Sequence, residues 1–388
     1  MSERLLNRNF VFMLLTAFFI YLSMSMTGSL LAKYLDYLHT SDVIIGFITG
    51  VFAVAALLIR IVSGRAVDVF DRNRILALVM ACVAISCFGY GLSKSPLVIT
   101  GFRILHGLAW GFGSTTCLTV AADSLSAQKM TQGIAVYGIF QQIAQMIAPA
   151  LALYFLGYFS YQNAFCITSI FALLALFMTL LVKAKKPAGC KQPFFSQLTF
   201  DNIIEKKAVL PAVLILLISL QAGGISAFMI LYADWLKITG ISAYFIVNGV
   251  TMILLRPFLA KILDWLKLKR TIILGQLLLF LSLIGIAVAR DLNLLLVMAV
   301  VSAVGFCLVQ PTLMTLCINA AGEERRGVAS STNYIGTDIG TFLGSFFSGL
   351  LVTLGGFRFM FALLCIPALI AIALFCAYYK PTAAASGL

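Results

Sequence analysis

Three side chains able to hold or exchange charge lie deep inside long apolar stretches of the chain: Arg103, His106 and Asp338. A charge in a hydrocarbon interior costs about 2.5–3.5 kcal/mol on the insertion scale, so such a group is a functional candidate by default. Arg103 and His106 stand three residues apart and share a helix face. His106 and Asp338 both titrate, and an imidazole and a carboxylate lining one cavity can exchange protons as it changes sides. Arg103 would keep Asp338 ionised or take an anionic group of a ligand. A static arrangement competes with this reading, with Arg103 capping backbone carbonyls and Asp338 accepting from Ser and Thr of neighbouring helices. At 1.5 Å per residue, His106 lies about 14 Å and Asp338 about 17 Å along its run, which puts both near a bilayer midplane.

Neutral polar residues supply a second layer. Tyr137, Gln141 and Gln145 recur at i, i+4 and i+8 and stripe one helix face. Gln221, Asn248, Gln310 and Asn333 sit in other apolar runs. Buried amides need partners, and either a water-filled cavity with its substrate or hydrogen bonds between helices would provide them. Pro149 and the Gly223–Gly224 pair mark places where a helix can bend. Gly336, Gly340, Gly344 and Ser348 follow a small-xxx-small period that suits tight packing and a helix that slides on its partner. Tyr21 and Trp110 read as packing residues.

These side chains need a scaffold, and composition says what kind. Of 388 residues, 62% are hydrophobic and 11% charged, with mean hydropathy +1.05. A soluble domain is about 45–50% apolar and about 25% charged, so the surface must face lipid and a soluble enzyme is excluded. Runs long enough to cross about 30 Å of hydrocarbon fall at 10–32, 43–60, 75–92, 97–121, 133–156, 164–182, 208–231, 242–256, 271–289, 292–320, 327–354 and 359–379, the short 242–256 run continuing helically toward Asp264. They are continuous rather than alternating, which favours helices over a barrel. The first is too long, and lacks the small-residue site, for a cleaved signal.

The formal net charge is +13. With the N-terminus placed in the cytoplasm, Lys and Arg concentrate in the inner loops. The positive-inside rule then sets both termini in the cytoplasm of a multi-pass plasma (inner) membrane protein. The excess charge is explained without nucleic acid. Nine Cys without a CxxC and two distant His support neither a disulfide framework nor a metal site. No cofactor is expected. No G-x-x-x-x-G-K-[ST] loop, Ser–His pair or HExxH is present, so neither an ATP-driven pump nor a membrane enzyme is indicated.

The polar stretch 183–207 divides the spans six and six, giving a first half 1–182 and a second half 208–388. The halves repeat. Tyr34-Leu-Asp36-Tyr37-Leu38 returns as Tyr232-Ala-Asp234-Trp235-Leu236, and Arg60, Asp68 and Arg74 return 196 residues on as Arg256, Asp264 and Arg270. Parallel six-span repeats with a midplane site between them are a transporter architecture.

Three segments then carry a resemblance. The loop after the second span, Gly64-Arg65-Ala66-Val67-Asp68-Val69-Phe70-Asp71-Arg72-Asn73-Arg74, is close to G-x-L-x-D-R-x-G-R-R, with Gly64, Asp68, Arg72 and the nearby Arg74 matching and Val69 and Asp71 departing. Arg103-Ile104-Leu105-His106-Gly107 resembles R-x-x-Q-G, with His for Gln. Ala148-Pro149 stands where Gly-Pro is usual. The chain thus resembles the major facilitator superfamily over essentially its whole length, and most of all its twelve-span drug:proton antiporters. The resemblance implies an all-α integral membrane protein of twelve transmembrane helices in two pseudo-symmetric six-helix bundles. It implies a monomer whose partners are the lipid bilayer, protons and a small-molecule substrate, exported by alternating access. A symporter, a facilitator, a lipid flippase or a sensor would use the same fold. It further implies that the Gly64–Arg74 loop gates the cytoplasmic side, with Asp68 facing a helix N-terminus near Gly327.

Overall fold

The computed structural model describes residues 6–126, 129–184, 204–320 and 326–378. Most of the 183–207 linker and the side chains of Gly64, Asp68, Asp264 and Gly327 lie outside what is described. Every element among the described residues is helical. The first six are α1 (Arg8–Tyr37), α2 (Asp42–Val69), α3 (Arg72–Leu92), α4 (Pro96–Asp123), α5 (Met130–Tyr158) and α6 (Tyr161–Leu180). Then come α7 (Val209–Trp235), α8 (Ser242–Leu255), α9 (Leu259–Val288), α10 (Leu292–Asn319), α11 (Arg326–Leu364) and α12 (Ile366–Tyr378). Side chains punctuate the starts: Asn7, Asp71, Ser160 and Asp291 accept first-turn N–H groups of α1, α3, α6 and α10. Nine helical stretches among the described residues are long and apolar enough to cross a membrane. Outside that set, α4 carries Arg103, His106 and several Gly and Thr that hold its hydropathy down.

The segment read as a loop after the second span is mostly helix. α2 continues to Val69, and only Phe70 and Asp71 separate it from α3. Asp71, the departure from the motif, has a local cause: its carboxylate caps α3, accepting from Asn73 N at 2.9 Å and Arg74 N at 3.3 Å. The matching place in the second half is Lys267, 196 residues on, where φ 62 and ψ 153 break α9. The short 242–256 run extends as expected. Pro257, with no N–H to give, turns Arg256–Phe258 into a 3-10 turn, and the helix resumes at Leu259. α11 breaks at Gly356 (φ 79, ψ 175), between the last two sequence runs.

The repeat extends to element boundaries and side-chain contacts. α4 and α10 begin and end 196 residues apart. At the end of α1, Tyr34 stacks on Tyr37 at 6.5 Å, meets Tyr161 and Phe165 at 5.1 and 5.5 Å, and donates its hydroxyl to Ser93 O at 2.9 Å. At the end of α7, Tyr232 stacks on Trp235 at 6.1 Å, meets Phe357 and Phe361 at 5.9 and 4.9 Å, and donates to Ile286 O at 2.9 Å. Both helices close with a positive-φ residue, His39 (56) and Lys237 (58).

The chain divides into two compact units, Met1–His39 with Val51–Gln197, and Thr40–Gly50 with Leu198–Leu388. The core of the first holds Phe10 and Met13 of α1, Leu76 and Val83 of α3, Val120 of α4 and Ala172 of α6. Leu78, Ile85 and Leu92, seven apart on α3, stay exposed and form a lipid-facing stripe. The core of the second holds Ile215 and Ile218 of α7, Leu279 of α9, Val309 and Leu313 of α10 and Phe375 of α12. Its closest helix pair is α7 with α11. Gly336, Gly340 and Gly344 face the carbonyls of Ala212, Leu216 and Leu220 in turn, so the helices run parallel in one register with no room for a Cβ. The first turns of α2 join this unit through Gly46, set against the Ser345 carbonyl.

Gly340→Leu or Gly344→Leu is expected to destabilise the protein by about 1–3 kcal/mol through overpacking. Gly157→Ala, at a position with nothing within 4 Å, should have no such effect. Thermal unfolding in detergent, read by loss of the monodisperse size-exclusion peak, checks both.

Candidate functional site

α4 brings the candidate charges of the first unit together, and its glycines set the distance. Gly107 lies against the Phe52 carbonyl and Gly111 against that of Ala56, so α4 rests on the backbone of α2. That approach slides the Phe52 ring under the polar face of α4. The Arg103 guanidinium carbon sits 4.4 Å from the ring centroid. His106 stands perpendicular to the same ring at 5.2 Å, and Trp110 lies 6.3 Å from it. A guanidinium over a desolvated aromatic face is stabilised by about 2 kcal/mol, which offsets part of the cost of burying Arg103. Arg103 is 7% exposed and His106 fully buried.

α3 supplies the other wall. The Tyr90 hydroxyl lies 3.2 Å from His106 Nδ1 and donates to the Phe102 carbonyl at 3.3 Å. His106 Nε2 has no hydrogen-bond partner among the described residues. One turn toward the α4 C-terminus, Trp110 meets Tyr21 edge-on at 4.6 Å. These two rings border a small apolar pocket lined also by Ile20, Val83, Ala109 and Cys117. One buried cluster thus contains a fixed cation, a titratable imidazole with one nitrogen engaged, and aromatic surface.

The other sequence candidates fall in different places. Asp338 is buried on α11 of the second unit. Along α5, Tyr137 is buried, Gln141 half-buried and Gln145 exposed, so the stripe grades outward. Pro149 lies within α5, where its missing N–H leaves the Gln145 carbonyl without an i+4 donor. α7 stays helical through Gly223 and Gly224, which face Thr341 and Ser348 of α11. Neither amide atom of the buried Gln221 has a hydrogen-bond partner among the described residues, nor has Asn333 Oδ1. Asn248 donates to Ala299 O at 3.0 Å, and Gln310 is exposed.

At the ends of α2 and α3, Arg60 donates to Ser114 Oγ at 3.2 Å. Arg72 pairs with Asp123 at the end of α4 and also donates Nε–H to the Val67 carbonyl at 2.9 Å. Arg74 is exposed, 3.9 Å from Asp71. In the second unit Arg256 opens the 3-10 turn and Arg270 is exposed on α9.

Four residues of this machinery escape the sequence reading. Tyr90 and Phe52 look like any aromatic in an apolar run. Gln276, buried on α9 with both amide atoms lacking a hydrogen-bond partner among the described residues, is signalled only as a lone amide in such a run. Asp123 has a plainer signal, an acid closing the fourth span while a basic cluster opens the third. Because Arg72 ties the ends of three helices, Arg72→Ala and Asp123→Ala are expected to be non-additive. A double-mutant cycle on unfolding should return a coupling of about 1 kcal/mol, and Arg72→Lys should recover little of it, since a lysine has no Nε–H to give Val67.

Comparison with known proteins places this geometry in a family. The model of the Major Facilitator Superfamily matches residues 13–334 and, in a second match, 268–387. In sequence the chain is similar to Multidrug resistance protein 1 of Bacillus subtilis (strain 168), 24% identical over 87% of this chain and 88% of that one. It is also similar to the Staphylopine export protein of Staphylococcus aureus (strain Mu50 / ATCC 700699), 21% identical over 89% of each chain. Among solved structures it shares its fold with a point mutant of the nucleoside transporter NupG, with TM-score 0.83, 14% identity and coverage of 96% of this chain and 100% of that one. A bacterial homolog of the human lysosomal transporter Spinster matches with TM-score 0.78 and 13% identity over 97% of both chains. The helical, membrane-crossing chain built around this cluster belongs to the Major Facilitator Superfamily.

Proposed function

We propose that this protein is a secondary active exporter that moves a small organic molecule out of the cell while protons move in. The reading takes the chain as twelve spans in two pseudo-symmetric six-helix bundles, 1–182 and 208–388, joined by the 183–207 linker. It works as a monomer in the plasma membrane with both termini in the cytoplasm. The observation that carries it is the buried His106, held at one ring nitrogen by Tyr90 and set edge-on to a guanidinium-capped ring at membrane depth. A proton carrier needs an exchangeable nitrogen and a neighbouring charge that biases it, and this cluster supplies both.

In the cycle, His106 and Asp338 exchange protons as the cavity alternates between the two sides of the membrane. Arg103 biases Asp338 toward its ionised form. Tyr137, Gln141, Gln145, Gln221, Gln310 and Asn333 offer hydrogen bonds to the substrate. The α2–α3 and α8–α9 junctions, with Asp68, Arg72, Asp264 and Arg270, gate the cytoplasmic side. Export, rather than uptake, is favoured by the two relatives named for drug resistance and for export.

In proteoliposomes, an imposed inside-acid gradient should drive uptake of a transported compound found by screening cationic dyes, sugars and small acids. Asp338→Asn and His106→Gln should each lower that uptake at least about tenfold, a loss of ~1.4 kcal/mol of coupling. Undiminished coupling in both variants, or equal flux without a gradient, overturns the reading. A reporter fused after residue 388 should be active only in its cytoplasmic form, fluorescent protein rather than alkaline phosphatase, if both termini lie inside.

A further inference from the structure

The repeat provides an internal control for the His106 cluster. The positions 196 residues on from Tyr90, Arg103 and His106 are Ile286, Ala299 and Ser302. They lie on α9 and α10, which pack together as α3 and α4 do. The α2–α4 contact of Phe52 with Arg103 is answered in the second unit by Asn248 donating to the Ala299 carbonyl. One helical frame is therefore built twice, once with a tyrosine, an arginine and a histidine at these places and once without them. Packing does not require the trio.

We propose that Tyr90 is the positioning residue of His106. It accepts Nδ1–H, fixes the neutral tautomer and leaves Nε2 as the single atom through which the proton enters and leaves. The inference rests on the proton-coupled reading above and assigns the atoms of its proton step. The Tyr90 oxygen is within 3.2 Å of Nδ1 and 3.3 Å of the Phe102 carbonyl and also accepts a side-chain hydrogen bond from Arg103; a hydroxyl has one proton to give and two lone pairs with which to accept. A carbonyl can only accept, so a hydroxyl proton directed to Phe102 O leaves the hydroxyl oxygen to accept Nδ1–H.

This chain, Nδ1–H to Oη and Oη–H to the carbonyl, is the same whether the imidazole is neutral or protonated. Gaining a proton at Nε2 converts imidazole to imidazolium without turning the hydroxyl, and losing it restores the starting state. In the opposite arrangement, with Oη–H donated to Nδ1, protonation at that nitrogen would force the hydroxyl to rotate inside a fully buried site. Nε2 is fully buried and has no hydrogen-bond partner among the described residues, so it is the nitrogen free to exchange. The fixed charge facing the ring is Arg103 on the same helix, and Tyr90 is the titratable neighbour from α3. A second-layer hydrogen bond that sets which imidazole nitrogen reacts is a recurrent device.

The test uses full-length protein with 15N-labelled histidine in lipid bilayers. Because the chain has two histidines, His39 and His106, the His106 signals are assigned by their loss in His106→Gln. The neutral His106 ring should be protonated at Nδ1, and Tyr90→Phe should shift it to a mixture of both tautomers. In proteoliposomes Tyr90→Phe should lower proton-driven accumulation at least about tenfold while substrate counterflow without a gradient stays within about twofold of the unmodified protein. A merely structural loss would depress both. A wild-type ring protonated at Nε2, or a Tyr90→Phe variant with unchanged tautomer and unchanged accumulation, overturns the proposal. If Tyr90→Phe does not fold, the second unit's residue provides the alternative in Tyr90→Ile, with the same two readouts. The NMR signature stands apart from transport, so a correct tautomer with undiminished coupling in both His106→Gln and Asp338→Asn would sink the proton-coupled reading and leave the tautomer assignment intact.

Discussion

Hydrocarbon has no hydrogen bonds to offer, and most of this structure follows from that. Every backbone polar group at membrane depth must find its partner along the chain, which is why the described elements are helices from end to end. The same constraint prices each polar side chain, so Ser and Thr along the spans turn back on carbonyls one turn earlier, as Thr16, Thr116 and Thr312 do. Against that background a guanidinium and an imidazole on one face of α4 are conspicuous. The fold lodges them by bringing an aromatic ring under the charge and a phenol against the imidazole. Gly107 and Gly111 make this possible by letting α4 touch the α2 backbone. The motif glycine and the motif arginine serve one purpose: without the first, the ring would not reach the second.

Repetition gives the protein two copies of a frame and freedom to specialise one. The aromatic clusters at the ends of α1 and α7 are near-replicas ring for ring, each with one tyrosine hydroxyl donated to a backbone carbonyl of the neighbouring chain segment, and they do architectural work in each unit. At mid-helix the units diverge. The first concentrates its charge on α4, while the second keeps its acid on α11 and closes the corresponding helix contact with a neutral amide. Side chains that match between units report on the frame. Those that differ report on the task.

Much of this was legible in the sequence because lipid makes polarity conspicuous. Arg103, His106 and Asp338 stand out as charges in apolar runs, and the repeat offset was readable from Arg60, Asp68 and Arg74. Tyr90 and Phe52 were not, since an aromatic ring in a hydrophobic run has the same appearance whether it packs or positions. The stretch from Gly64 to Val69 reads as a loop from its charges, yet the helix of α2 runs on through it to Val69. Asp71 looked like a defect in a gate motif. It is the cap that starts α3, a local role that a pattern fixed on the motif's glycine hides.

The glycine row of α11 has a mechanical consequence. Its three contacts on α7 recur every fourth residue, so bringing a flanking residue (Ile335 or Thr337, Ile339 or Thr341, Leu343 or Ser345) to a glycine's place would drive a Cβ into the carbonyl that the glycine now faces. Register is regained only after four residues, about 6 Å along the axis. The two helices therefore engage like teeth with a coarse pitch, and small displacements are resisted while intermediate ones are forbidden. The slide along its partner that the small-xxx-small row suggests in sequence is thus opposed by the packing itself, which holds α11 in register on α7.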